Sequence, residues 1–209
     1  MSLEELAREQ EEKSKFVRKY DDPQYDNSIV IGVDVSYFGN KAVGCAVVAD
    51  LTTQKIVDIS LIETEIDSEY ISGFFQLREG PIILELLGNF KNIGTVLIDG
   101  NGILHPRRFG LASFVGLELD IQTVGVAKSL MLGNLGPRSD DNADVIHNGE
   151  IVGRALWLGR RKPIYISIGH RISLETAFRV VRDSCIDDYP NVLHQAHVQS
   201  KEALEKMRH

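Results

Sequence analysis

Ser28–Glu63 reads SIVIGVDVSYFGNKAVGCAVVADLTTQKIVDISLIE, and this stretch decides the fold class. Three apolar, β-branched runs, Ser28–Ser36, Lys41–Ala49 and Gln54–Glu63, are separated by Gly39-Asn40 and by Asp50-Leu51-Thr52-Thr53. Val and Ile fit a pleated surface, and the intervening residues have hairpin-turn character. The pattern predicts a meander of three antiparallel strands.

Downstream the periodicity changes. Glu79-Gly80-Pro81 opens a helix with Ile82, Ile83, Leu86, Leu87 and Phe90 at helical spacing. Gly94–Ile98 reads as a short buried strand ending in Asp99, Pro106 to about Leu119 as a helix, and Gln122–Val126 as another strand. Asn148-Gly149 marks a hairpin leading into Ile151–Leu158, with Trp157 on its core side. The basic turn Gly159–Pro163 then leads to a strand over Ile164–Ile168. Ser173 caps a helix running through Cys185, and a final helix begins near Val192. Upstream, Ser2 and Glu5 form a capping box for a charged helix to about Tyr20, with Leu3, Leu6, Phe16 and Val17 as its apolar stripe and Asp21-Asp22-Pro23 as its stop. A meander followed by alternating helix and strand implies one α/β domain over residues 1–209: a mixed β-sheet with helices on both faces, plus terminal helices. Residues 1–22 form a helical extension of it.

Composition narrows the class. At 43% hydrophobic and 25% charged, the 209 residues exclude a disordered or fibrous protein. No apolar run reaches membrane-spanning length and no signal-like stretch follows Met1, so a cytoplasmic protein without a membrane partner is the expectation. Cys45 and Cys185 alone make no disulfide framework and no four-thiolate metal site. The net charge of −7 hides an asymmetry, −9 over residues 1–105 and +4 over 106–182. Acidity of this kind serves a divalent cation as readily as it repels a phosphate backbone.

Three acidic residues have unusual settings. Asp34 lies inside the first apolar strand, Asp99 ends the strand Thr95-Val96-Leu97-Ile98-Asp99, and Glu79 starts a helix straight after a loop. Charge at such positions is costly unless it is paired or bound to a metal. A divalent site is one reading; a salt bridge for Asp34 and a turn role for Asp99 is the other. The run Asp99–Gly110, DGNGILHPRRFG, opens with two glycines that let another molecule approach the backbone, and adds the His105 ring and two guanidinium forks, Arg107 and Arg108, suited to phosphate. A glycine loop ahead of a helix, with solvated arginines, fits the same residues.

Five blocks together resemble the endonuclease V family. They are Gly32-Val33-Asp34-Val35-Ser36-Tyr37, Phe74–Pro81 (FFQLREGP), Asp99–Ser113 (DGNGILHPRRFGLAS), Thr123–Ser129 (TVGVAKS) and Gly169–Ala177 (GHRISLETA), in that order within residues 28–200. The resemblance implies an RNase H-like fold. It also implies a Mg²⁺-dependent endonuclease, with Mn²⁺ as a substitute, that cuts DNA or RNA at the second phosphodiester bond 3′ of inosine or deoxyinosine. Its pattern makes Asp34, Asp99 and Glu79 the metal-binding carboxylates, sets Lys128 near the scissile phosphate, and brings His197 to the site, with His194 as a rival. A flipped-out base would be read at Gly73, Phe75, Gly100, His105, Gly110, Leu111 and Ala127, with Tyr70 stacking in the gap it leaves.

The sequence departs from the family in places. Glu69 and Ser72 flank Tyr70-Ile71 where two prolines are usual, which loosens the wedge and favours single strands. Asn101 stands where the family usually has His. The segment Leu132–Asp144 is acidic, against tight duplex binding, whereas Arg160-Arg161-Lys162 offers phosphate contacts. The expectation is a monomeric nuclease acting on a nucleic-acid strand. An inosine-binding module without strand cleavage and a small-molecule phosphohydrolase are the alternatives.

Overall fold

A computed structural model describes residues 2–66, 71, 73–88, 90, 94–159 and 161–207. Strands β1 (Ile29–Phe38), β2 (Lys41–Asp50) and β3 (Lys55–Glu65) form the meander, with Asp34 opposite Cys45 and Cys45 opposite Leu61. β4 (Thr95–Asp99) pairs parallel to β1, and β5 (Thr123–Ala127) parallel to β4. β9 (Ile164–His170) returns antiparallel to β5 and is followed outward by β8 (Glu150–Leu156), β7 (Asn142–His147) and β6 (Asn134–Leu135). Among the described residues one nine-stranded mixed sheet results, in the order β3-β2-β1-β4-β5-β9-β8-β7-β6. This is the α/β mixed sheet that the meander and the alternation foretell, and it matches the RNase H-like fold that the family resemblance implies.

Strand periodicity of two divides the core between the faces. On one face Ile31, Val33, Ala46 and Ile98 pack against α2 (Gly80–Gly88) and α3 (Leu111–Leu119). On the other, Val30, Cys45, Leu97 and Val126 pack against α4 (Leu174–Asp183) and α5 (Asn191–Lys206), joined by the short hairpin β10–β11 (Cys185–Ile186, Tyr189–Pro190). Gly32 permits the closest approach. A Cβ there would stand 2.3 Å from the Val192 carbonyl carbon, so β1 and α5 meet backbone to backbone. Among the described residues no helix is long and apolar enough to cross a membrane.

Several boundaries move for local reasons. Helix α1 (Leu3–Ser14) carries the expected Ser2/Glu5 capping box but ends well before Tyr20. Leu3 and Phe16 of its supposed apolar stripe are exposed, and its one buried residue is Gln10. Asp21 and Asp22 dock on the α4 end of the molecule: Asp21 accepts from the Ser173 N–H and from Thr176, and Asp22 pairs with Arg171. The helix expected from Pro106 starts only at Leu111, because Arg108 adopts φ +54°, outside helical space. Trp157 lies just past β8, half-buried beneath the Arg138 guanidinium, rather than within the strand. β7 straddles the end of the polar run Leu132–Asp144 and gives only a weak pattern, since Ala143 and Val145 alone of its six residues are buried.

Candidate active site

Register brings the expected residues to one edge. Val33 pairs with Ile98, and Asp99 with Val126, so Asp34, the β1 residue just past its pairing with β4, lies level with Asp99 at the carboxyl end of β4 and near Lys128 just beyond β5. Alternation turns all three to the α5 face. Strand carboxyl ends are where open α/β sheets bind their ligands. Lys128 Nζ lies 2.5 Å from Asp99 Oδ2 and 5.1 Å from the Tyr189 ring centre, and the Tyr189 hydroxyl lies 3.5 Å from the same Asp99 oxygen. From α5, the His197 Nδ1 and the Ser200 hydroxyl each come within 3.1 Å of Asp34 Oδ2. His197 is thus the histidine that touches Asp34. His194, three residues earlier, lines a neighbouring cavity of about 300 Å³ with Lys128 and Asp188.

Glu79 approaches from the opposite face, just before α2, and accepts a hydrogen bond from the Tyr37 hydroxyl. Burial pushes its carboxyl up to about 7; the Tyr37 hydrogen bond opposes this, while the charges of Asp34 and Asp99 add to it. Arg78 stacks 4.4 Å over the Tyr37 ring.

Among the described residues, no three His, Cys, Asp or Glu side chains stand ready-clustered around a metal position. Each carboxylate instead rests on a side-chain partner: Lys128 for Asp99, His197 and Ser200 for Asp34, Tyr37 for Glu79. The donor chemistry nevertheless fits a hard divalent cation, which takes carboxylate oxygens and would offset both the burial that chiefly raises the Glu79 carboxyl and the charges of Asp34 and Asp99 that add to it.

Beside this edge opens a pocket of about 230 Å³. Gly73, Phe75, Gly100, His105, Gly110, Leu111 and Ala127 all line it, together with Asn101, Gln76 and Met131. Asp99 and Lys128 belong to its wall as well, so pocket and carboxylates share a border. At Gly110 itself a side chain is excluded, since a Cβ would stand 2.3 Å from the Asn101 carbonyl oxygen. Burial, with the charge of Arg107 adding, lowers His105 to about 4, so its ring is neutral at pH 7. Asn101 Oδ1 is buried with no hydrogen-bond partner among the described residues. Tyr70, with Glu69, Ser72 and Arg160, lies outside the described residues.

The endonuclease V family model matches residues 10–198. An endonuclease V from Dictyoglomus turgidum is 37% identical over 210 residues, covering 96% of this chain and 90% of its own. The chain belongs to the endonuclease V family. Its activity is accordingly that of a nuclease, a hydrolase of phosphodiester bonds acting on a nucleic-acid strand, and the family's nucleases generally depend on a divalent metal ion. Among solved structures, human ENDOV superimposes with a TM-score of 0.88 at 30% identity, covering the whole of both chains. Ciona intestinalis endonuclease V, solved in complex with a 24mer DNA containing an inosine followed by a ribo-adenosine, superimposes with a TM-score of 0.87 at 28% identity over 98% of each chain.

The structure adds residues that the sequence reading gave no role. Tyr37 is three residues from Asp34 and so on the other face of β1, a placement that strand parity could have exposed. Tyr189 and Ser200 reach the carboxylates only through tertiary packing, and no local signal marks them. Arg107 and Arg108, read as phosphate forks or solvated arginines, turn to protein partners instead: Arg107 to Gln10 and the Gly73 carbonyl, Arg108 to Glu150.

Proposed function

We propose that this endonuclease V family chain cuts inosine- or deoxyinosine-containing strands at the second phosphodiester bond 3′ of the lesion. The observation that carries this reading is the shared border. Asp99 and Lys128 line the same small pocket as Gly73, Gly100 and Gly110, so a base seated there leaves its own backbone at the carboxylate edge. The inosine-containing DNA held by the Ciona enzyme supports the choice of base.

Each residue then has a task. Glycines and backbone N–H groups leave room for a planar base and offer it donors, while the neutral His105 ring adds a partner without adding charge. Asp34, Asp99 and Glu79 would hold Mg²⁺, with Mn²⁺ as a substitute; when bound there, the ion supplies an activated water and neutralises phosphate charge. Lys128 offsets charge developing on the phosphate oxygens. His197, hydrogen-bonded to Asp34, orients that carboxylate and stands ready to exchange a proton at the leaving oxygen. Tyr70 fills the gap in the base stack, and the loss of two flanking prolines favours single strands over duplexes. One copy of the chain supplies every group, and the reading is of a monomer.

A gel assay tests it with four end-labelled substrates: single- and double-stranded DNA with one deoxyinosine, and single- and double-stranded RNA with one inosine. Each is run with Mg²⁺, with Mn²⁺, with EDTA, and with Asp34→Ala. The expected result is a Mg²⁺-dependent cut one nucleotide 3′ of the lesion, strongest on a single strand and absent with EDTA or Asp34→Ala. Binding without any cut, or full activity of Asp34→Ala, would overturn it.

A further inference from the structure

We infer that α1 is a working part of the pocket: Gln10 and Arg107 form a clamp that fixes the pocket's two walls relative to each other, and so sets its selectivity for the base. The inference rests on the reading of this pocket as a base site. Neither residue lines the pocket. They are positioning residues that act through Gly73 and Phe109.

The geometry is specific. Helix α1 is strongly charged, and its only buried side chain, 2% exposed, is the polar Gln10. A buried amide must satisfy both its ends. The Gln10 Nε2 donates to the carbonyls of Gly73 at 3.2 Å and of Phe109 at 3.3 Å. Its Oε1 accepts from Arg107 Nε. Arg107 closes the figure, because its Nη2 donates to the same Gly73 carbonyl at 2.9 Å while its guanidinium stacks 4.5 Å over the Phe74 ring. Five groups from three separated segments are thereby joined: residue 10, residues 73–74, and residues 107 and 109.

Two of those segments are the pocket walls. Gly73 lines the pocket, and so does Gly110, next in sequence to Phe109. Gly73 has φ +79°, a conformation in which its carbonyl direction is set by the partners it finds rather than by a helix or a strand. A Cβ on Gly73 would stand 3.1 Å from Arg107 Nη2 and 3.8 Å from His105 Nε2, so wall, clamp and pocket histidine are in contact. With the clamp removed, the Gly73 wall loses its hydrogen bonds from Gln10 and Arg107, keeps the one it shares with His105, and is held less firmly against the Gly110 wall. A pocket that separates one purine from another by its width then loses that discrimination before it loses anything else.

The test uses the full chain with single-stranded DNA oligonucleotides in Mg²⁺. Three quantities are measured: kcat and KM for the strand with one deoxyinosine, and the inhibition constant Ki of the same strand carrying deoxyguanosine in its place. Gln10→Met keeps the bulk but removes the amide. It is expected to raise KM about tenfold while kcat stays within about threefold and Ki within about twofold. Arg107→Lys, which keeps the charge but loses the fork, should shift the same ratio in the same direction. Lys13→Met breaks the α1 ion pairs to Glu9 and Glu118 without touching the clamp, and should lower Tm with KM/Ki unchanged. An unchanged KM/Ki in Gln10→Met and Arg107→Lys, or an equal shift in Lys13→Met, would overturn the clamp. If the wild type itself fails to prefer the deoxyinosine strand, the base-site reading has failed and the inference falls with it.

Discussion

The carboxylate edge and the base pocket adjoin along Asp99 and Lys128, yet they are built by opposite means. The edge is made of charged side chains at the ends of adjacent strands. They crowd one another, and a cation, an ammonium or a hydroxyl must hold each of them. The pocket, away from that border, is made of uncharged groups, with three glycines set among side chains such as Phe75, Leu111 and Met131 around a neutral ring. Chemistry and selectivity are therefore separable, because the two regions share a border but not a type of interaction.

Lys128→Ala puts that separation to its hardest test. Removing the ammonium should cut kcat by about 10²–10³ and leave KM for a deoxyinosine strand within a few-fold. Gly100→Val attacks the other side. A Cβ there meets nothing closer than 3.7 Å, so the fold accepts it, but the rest of the side chain fills the pocket. Its kcat/KM should fall about 10–100-fold, through KM. Steady-state kinetics of the two variants would break the comparison if both lost the same parameter. Gly110→Ala should act on the fold itself. Its Cβ would lie 2.3 Å from one backbone oxygen and 3.0 Å from another, so chemical denaturation should show a loss of about 1–3 kcal/mol.

The two regions also differ in how far the sequence reveals them. Three strands and their turns are visible in Ser28–Glu63 because alternation and turn residues are local properties, and the charged residues stand out because charge in an apolar strand demands a reason. Glycine spacing marks the pocket's position but not its walls. What fixes those walls is Gln10, an ordinary polar residue in a charged helix, whose partners lie 63 and 99 positions away. Nothing within a few residues of Gln10 encodes that contact. The same holds for Tyr189 beside Asp99, and for β7, where two buried residues in six give too weak a pattern to read. Arg107 shows the converse error, since a guanidinium next to glycines reads as a phosphate ligand until the fold supplies it with a carbonyl.

Titration offers the smallest effect and the cleanest contrast, in metal-free protein kept in EDTA. Glu79 is held near 7 in the fold against 4.5 as its ordinary value, so the folded state binds its proton more tightly than the unfolded chain does. The stability this contributes is fully present below pH 4.5 and is lost as pH rises towards 7. His105 is held near 4 against 6.5, so the unfolded chain binds the proton more tightly. Its contribution is present above pH 6.5 and is lost as pH falls towards 4. Glu79→Gln should therefore gain stability on the wild type as pH rises from 4.5 to 7, whereas His105→Gln should gain on it as pH falls from 6.5 to 4. Melting temperatures of the three proteins across that range give two difference curves, and they should slope in opposite directions. Parallel slopes would mean that the crowded carboxylates and the uncharged pocket do not differ in their electrostatics, and the contrast between the two regions would rest on shape alone.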